Sequence, residues 1–424
     1  MYLTDRSAPA QADTEQGRRR GPGRKVAPVV LVLGSVSLIT DISSEMVTAV
    51  LPLYLVTTLG FTPLVFGTLD GVYNGVSALV QLTGGHLADR VRNHKLLAGL
   101  GYGLSALCKP LLLLVSSIGA LGTVLALDRT GKGLRTAPRD AMISLSTPSE
   151  RQGRAFGVHR AMDTTGAMLG PLVAFFILRA ATDGYDAVFG VSACVAVLGV
   201  LVLVLFVPRR GQVAQTDEAG GTAESKPPVR VREALALLRL PRLRALAVCA
   251  ALLGLTTVSD AFVYLLLQRR AGIADEWFPL LPLGTAAVFL LLAVPLGSLA
   301  DRIGRRAVFL AGHASLLTAY ALLLWAPATP ALPFLVLALH GLFYAATDGV
   351  LPAALADIVP EQLRASGLAI VGTSQALARF CCSLAFGAAW TVWGDGPALA
   401  GSAVGLLCCA AVAGMLLRPS GETR

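Results

Sequence analysis

The sequence predicts an all-α membrane protein of twelve transmembrane helices in two six-helix halves, and three observations lead there. The 424 residues are 54% hydrophobic and only 14% charged, with a mean hydropathy of +0.67, a mixture for which a bilayer and not water is the fitting solvent. Apolar runs long enough to cross the hydrocarbon core, which takes roughly 20 residues, recur along nearly the whole chain. Gly85-His86-Leu87-Ala88-Asp89-Arg90 returns 212 residues later as Gly297-Ser298-Leu299-Ala300-Asp301-Arg302, so the chain reads as a duplicated unit. Aromatic residues make up only 6% while Gly, Ala and Leu dominate, which suits helices packed through small residues and not barrel strands of alternating face.

Span 1, residues 28–57, follows a basic tail, 1–27, that holds Arg18, Arg19, Arg20, Arg24 and Lys25. Its apolar run continues past Asp41 and Glu45 without a small-residue cleavage site, so it is expected to stay as an anchor. Spans 2 and 3, residues 63–87 and 95–117, flank the first copy of the repeated motif. Span 4, 119–137, carries Asp128, Arg129 and Lys132; span 5, 157–179, carries Gly157, Gly166, Gly170 and Pro171; span 6, 185–207, closes a first half of 28–207. The longest polar interruption, 208–244, holds Pro227 and Pro228 and reads as a linker. Within it Val231 to Leu240 has apolar residues at helical spacing, consistent with a short helix on the membrane face or with a solvated linker. The second half, 245–417, holds spans 245–268, 277–299, 306–326, 331–352, 363–391 and 396–417, ahead of a tail of 418–424.

A net charge of +9 invites a nucleic-acid reading until the 35 basic residues are placed. With the N-terminus inside, the inner segments hold the tail residues, Arg90, Arg92, Lys95, Arg139, Arg151, Arg154, Arg209, Arg210, Arg302, Arg305, Arg306, Arg364 and Arg418, and the opposite loops only Arg179, Arg269 and Arg270. That asymmetry is the positive-inside pattern and predicts a multi-pass protein of the cell inner membrane with both termini cytoplasmic and no nucleic-acid partner. Seven cysteines lie within apolar spans without Cys-x-x-Cys spacing, so neither disulfides nor a thiolate metal site is expected.

With these residues in view, the chain resembles the major facilitator superfamily, in its bacterial twelve-span form, over about residues 28–417. The superfamily's loop between spans 2 and 3 reads G-x-L-A-D-R-x-G-R-R, and Gly297, Asp301, Arg302, Gly304 and Arg305 match it in the second copy. The first copy keeps Gly85, Asp89 and Arg90 but has Arg92 and Asn93 where the pattern has Gly and Arg. Leu125, Arg129 and Gly133 are similar to the pattern L-x-x-x-R-x-x-Q-G, with Lys132 in place of Gln, and imply an embedded Arg near a proton path. Gly157, Gly166, Gly170 and Pro171 resemble an antiporter motif whose final glycines are here Ala174 and Phe175. The resemblance implies an exporter that is no enzyme, works without a cofactor, draws on a proton gradient, binds a small molecule and is a monomer; ordinary small-residue packing is the other reading of the glycines. A carboxylate at a helix N-terminus, favoured by the dipole and paired with an Arg, makes Asp89 and Asp301 expected gating latches, with solvated surface charge as the alternative.

Ionisable groups at bilayer depth cost at least ~2.5–3.5 kcal/mol each, so they need a partner or a wet cavity. Asp41 and Glu45, four apart on span 1, are expected to share a cavity with Asp128 and Arg129, and one or the other to exchange a proton, Arg129 holding the alternate carboxylate ionised; a structural salt bridge to Arg129 is the other reading. Lys109 and Asp70 are expected to pair with each other. Asp260, His340, Asp348, Gln375 and Arg379 are the possible substrate-binding residues of the second half. The favoured function is a proton-coupled efflux antiporter for a small cationic or amphipathic molecule. The alternative is an importer or exchanger of an anionic metabolite, served by Arg129, Lys132, Arg135 and Arg379; a nontransporting sensor on the same scaffold is a third. No His-Glu-x-x-His, Gly-x-Ser-x-Gly or complete phosphate loop is present to support a lipid enzyme or an ATP-driven pump.

Overall fold

The computed structural model describes residues 26–90, 93–148, 151–207, 239–348, 359 and 364–416. Among them are thirteen α-helices and no strand. The first half holds α1 (Pro28–Leu53), α2 (Pro63–Arg90), α3 (His94–Leu111), α4 (Ile118–Leu145), α5 (Gln152–Ala180) and α6 (Gly184–Phe206). The second holds α7 (Pro241–Gly254), α8 (Asp260–Ala271), α9 (Leu280–Ile303), α10 (Arg305–Trp325), α11 (Leu332–Thr347), α12 (Arg364–Trp393) and α13 (Asp395–Leu416). Seven helices among the described residues are apolar and long enough to cross a membrane by length and composition. The other crossings are broken, short or charged. The N-terminal and C-terminal tails and linker residues 208–238, including most of the expected linker helix, lie outside the described residues.

Twelve crossings come from thirteen helices because span 7, expected as one helix over 245–268, is broken between α7 and α8. Thr256 and Thr257 turn their hydroxyls back onto the Leu253 carbonyl at 3.1 and 2.8 Å, and the Tyr320 hydroxyl accepts the Val258 N–H at 2.8 Å. The Tyr320 oxygen thus satisfies an N–H that a continuous helix would have paired, while the Leu253 carbonyl still accepts the Thr257 N–H at 3.0 Å, which makes the break tolerable inside the bundle. The second helix then begins at Asp260, with the carboxylate in its first turn, where the helix dipole favours it.

Small residues set the closest approaches. A Cβ on Gly166 would fall on the Leu38 backbone, and one on Gly170 would sit 2.8 Å from the Glu45 Cβ, so α5 lies directly on α1. Gly101 and Gly131 face each other in the same way between α3 and α4. Across the halves, α2 packs on α12: a Cβ on Gly67 would fall on the Ser383 carbonyl and one on Gly387 on the Pro63 carbonyl. The Leu64 N–H donates to Thr391 Oγ1 at 2.9 Å, and Phe66 meets Phe262 edge to face at 4.8 Å. Phe175 and Trp277 add a further ring contact at 5.0 Å. The contacts across the halves lie toward the end of the bundle remote from the chain termini, and they close it there.

Candidate functional site

Between the halves lies a cavity of about 370 Å³. Glu45 from α1, Asp70 from α2, Asp260 from the first turn of α8 and Asp348 at the end of α11 bring four carboxylates to it. Tyr73, Tyr264, Tyr344, Phe278 and Phe289 supply aromatic walls, and no Lys or Arg is among the described lining residues. The Asp260 side chain is 44% exposed although it lies within the bundle, so the cavity admits water. His340 Nε2 lies 3.1 Å from Asp260 Oδ1 and the Tyr344 hydroxyl donates to the same oxygen at 2.6 Å, which fixes this carboxylate while its other face looks into the cavity. Asp70 accepts from Ser383 Oγ at 2.7 Å, across the interface between halves, and from Asn74 Nδ2 at 3.3 Å. It forms no ion pair among the described residues.

Behind the cavity wall of the first half runs a buried charge network along one stripe of α4. Asp128 accepts from Lys109 at 3.0 Å, from Arg129 at 2.8 Å and from Ser105 at 2.5 Å. Arg135 pairs with Asp41 at 3.2 Å and Lys132 with Glu45 at 3.5 Å. Arg139 pairs with Asp140 at 3.0 Å and Asp163 at 3.5 Å, and donates to Ser37, which also contacts His159 Nε2 at 3.0 Å. The Arg129 guanidinium lies 3.9 Å over the Tyr73 ring, so that ring stands between the cation and the cavity.

These pairings revise three expectations. Lys109 does not reach Asp70; α3 packs on α4, and that places the ammonium on Asp128. Arg129 forms no ion pair with Asp41 or Glu45 among the described residues; its own chain neighbour Asp128 takes it. The four residues expected to share one cavity are divided: Glu45 lines it, while Asp41, Asp128 and Arg129 are buried in the protein behind it.

In the second half a smaller cavity, about 130 Å³, holds His313, Gln375 and Arg379, and shares Asp348 with the first. Of the repeated motif, Gly297 lies on α9 and Gly304 makes the turn into α10 at φ +98, a conformation that favours glycine. Asp301 sits in the last turn of α9 and not at a helix N-terminus, so the dipole does not favour it; what offsets its charge is Arg305, at 3.8 Å. Arg302 is exposed beside it. Gly85 and the first copy's Asp89 and Arg90 belong to the last turns of α2, and their side chains, with Arg92, lie outside the described residues. Gly166 and Gly170 make the α5 approach to α1, Gly170 immediately before Pro171, whereas Gly157 faces open space.

Asp70, Tyr73, Tyr264, Tyr344 and Ser383 were not singled out by sequence as cavity residues. A legible trace existed on α11, where His340, Tyr344 and Asp348 recur every four residues and so share a face. Tyr73 and Tyr264 look like ordinary span residues until the helices are assembled.

The family model for the Major Facilitator Superfamily matches residues 33–290 and 272–424. An uncharacterized MFS-type transporter of Methanocaldococcus jannaschii is 30% identical over 397 residues, covering 91% of this chain and 94% of that protein. Among solved structures, the nucleoside transporter NupG superposes with a TM-score of 0.75 at 14% identity, covering 93% of this chain and 100% of that one. A bacterial homolog of the human lysosomal transporter Spinster, inward-facing and unoccupied, gives 0.73 at 16% identity over 92% of this chain and 96% of its own. At such identities the two structures speak for the fold alone.

Proposed function

Because the chain belongs to the major facilitator superfamily, and is by that kinship a transport protein and not an enzyme, we propose that it is a proton-coupled antiporter that exports a small amphipathic cation. The observation that carries this reading is the lining of the larger cavity: four carboxylates and five aromatic rings, with no Lys or Arg among the described lining residues. Carboxylates attract a cation, and ring faces add cation–π attraction that grows once water is excluded. A proton and a cation compete for the same carboxylates. Mutually exclusive occupancy of Glu45 and Asp260 then gives antiport when the unloaded carrier does not itself cross, since each ligand carries the protein across only in the other's absence.

Asp41, expected as an alternative proton carrier, is less suited because it is buried against Arg135. Glu45 faces the cavity with a longer 3.5 Å pair to Lys132 and a quarter of its side chain exposed. Asp70 links occupancy to gating, since its partner Ser383 belongs to the other half. The glycine contacts between α5 and α1 agree with the exporter resemblance, and the basic inner segments support cytoplasmic termini. On that orientation the cavity is closed toward the outside.

Transport of tetraphenylphosphonium by purified protein in proteoliposomes tests the reading. A pH gradient is expected to drive its uptake, nigericin to abolish it, and Glu45→Gln to remove the pH dependence while leaving cation exchange. Flux of carboxylate anions in preference to cations, or cation flux indifferent to the gradient, overturns it. Everted vesicles that accumulate the cation fix the direction as export.

The anionic-substrate alternative drew on Arg129, Lys132, Arg135 and Arg379. Three of those four are occupied by carboxylates of the protein.

A further inference from the structure

The fourth, Arg379, is differently placed. It lies on α12 with Gln375 one turn before it, and both line the smaller cavity. Neither side chain makes a hydrogen bond or ion pair among the described residues, and Arg379 Nε is buried without a partner. A buried guanidinium nitrogen left without an acceptor is costly, and the planar fork suits a carboxylate or phosphate better than any neutral group. The neighbouring hydroxyls are spent: Thr257 donates to the Leu253 carbonyl and Thr347 to the Phe343 carbonyl, at 2.8 Å each. His313 is held by its Nδ1 contact with the Phe309 carbonyl at 2.9 Å. The free donors in this cavity are therefore those of Gln375 and Arg379, four residues apart on one helical face.

The position relative to the acidic cavity supplies the second half of the argument. Asp348 lines both cavities, so the acidic site and the Arg379 site adjoin at a shared wall. A ligand lying across that wall meets carboxylates and aromatic faces at one end and a guanidinium with an amide at the other. Asp348 weakens the hold of Arg379 on a simple anion, whereas a molecule that brings its own cation satisfies both sides. Building on the cation reading above, we infer that the transported molecule is a zwitterion or bears a separate acidic group, its cationic end in the acidic cavity and its carboxylate or phosphate on Arg379 and Gln375.

The test uses matched probes on the detergent-purified full chain: ω-aminoalkanoates of four to eight carbons, the corresponding alkylamines, and the corresponding alkanoates, with affinity read by calorimetry. At some chain length the ω-amino acid is expected to bind about tenfold more tightly than its amine, the size of effect a charge-assisted hydrogen bond gives, and the alkanoate not to compete. Arg379→Gln is expected to erase that advantage while the amine still binds, at equal or higher affinity because the positive charge near Asp260 and Asp348 is gone, with Arg379→Lys keeping part of the advantage; the amine result also shows that the variant still folds. An ω-amino acid no better than its amine at any length, or an advantage that survives Arg379→Gln, overturns the inference and leaves the cation reading standing. Alkanoates that bind as tightly as the ω-amino acids, or a failure of amines and ω-amino acids alike to bind, overturn both.

Discussion

Asp128 is the residue on which the first half turns, because one buried carboxylate serves two cations, Lys109 and Arg129, and a serine hydroxyl. The cluster carries one more positive than negative charge, so its members are not equivalent. Replacing Asp128 by Asn leaves two buried cations without a counter-charge, and breaking such a pair costs about 3–5 kcal/mol. Replacing Lys109 by Met leaves Asp128 still paired with Arg129 and removes a buried ammonium. Thermal unfolding in detergent is expected to show a large loss for Asp128→Asn and a small change, or a gain, for Lys109→Met; equal losses would contradict this account of the cluster. Sequence reasoning identified most of these charges as buried but paired several of them wrongly, since spacing along one helix reports a shared face and says nothing of which neighbour that face meets.

Among the helices, the contact of α5 on α1 depends on the absence of side chains at two positions. Gly166 and Gly170 lie against the Leu38 backbone and against Glu45 and Met46, where any added atom forces the helices apart. Valine at either position is expected to cost at least about 1–3 kcal/mol by overpacking, seen as a lower melting temperature and a loss of monodisperse protein, while Gly157→Val, facing open space, is expected to be neutral. The spacing of these glycines was visible in the sequence. The break between α7 and α8 was not anticipated. Neither Gly nor Pro falls between Leu255 and Ser259, and it is Tyr320, distant in sequence, that receives the freed Val258 N–H.

For the molecule as a whole, the feature with the largest consequence is that the halves meet at the end remote from the termini, through Gly67 and Ser383, Leu64 and Thr391, and Phe66 and Phe262. An alternating-access cycle has to separate these pairs as the halves rock about the central site. In a variant freed of its seven native cysteines, cysteines introduced at Leu64 and Thr391, where the Leu64 N–H reaches Thr391 Oγ1 at 2.9 Å, are expected to form a disulfide that stops flux, with reductant restoring it. Flux that persists in the oxidised protein would mean that this end of the bundle does not open during transport.

The sequence by itself determined the class of the protein. Composition selects the bilayer as solvent, the length and recurrence of apolar runs give the number of crossings, and the repeated Gly-x-Leu-Ala-Asp-Arg motif gives the twofold plan, all of them properties read locally along the chain. Only the tertiary structure decided which carboxylates line a shared cavity and which are neutralised within the protein, because Glu45 and Asp41 lie one turn apart on the same helix and differ only in what the neighbouring helices bring to them. It likewise left Arg379 as the cation that no described carboxylate occupies. Partner choice among buried charges depends on distances between helices far apart in sequence, and those distances follow from packing.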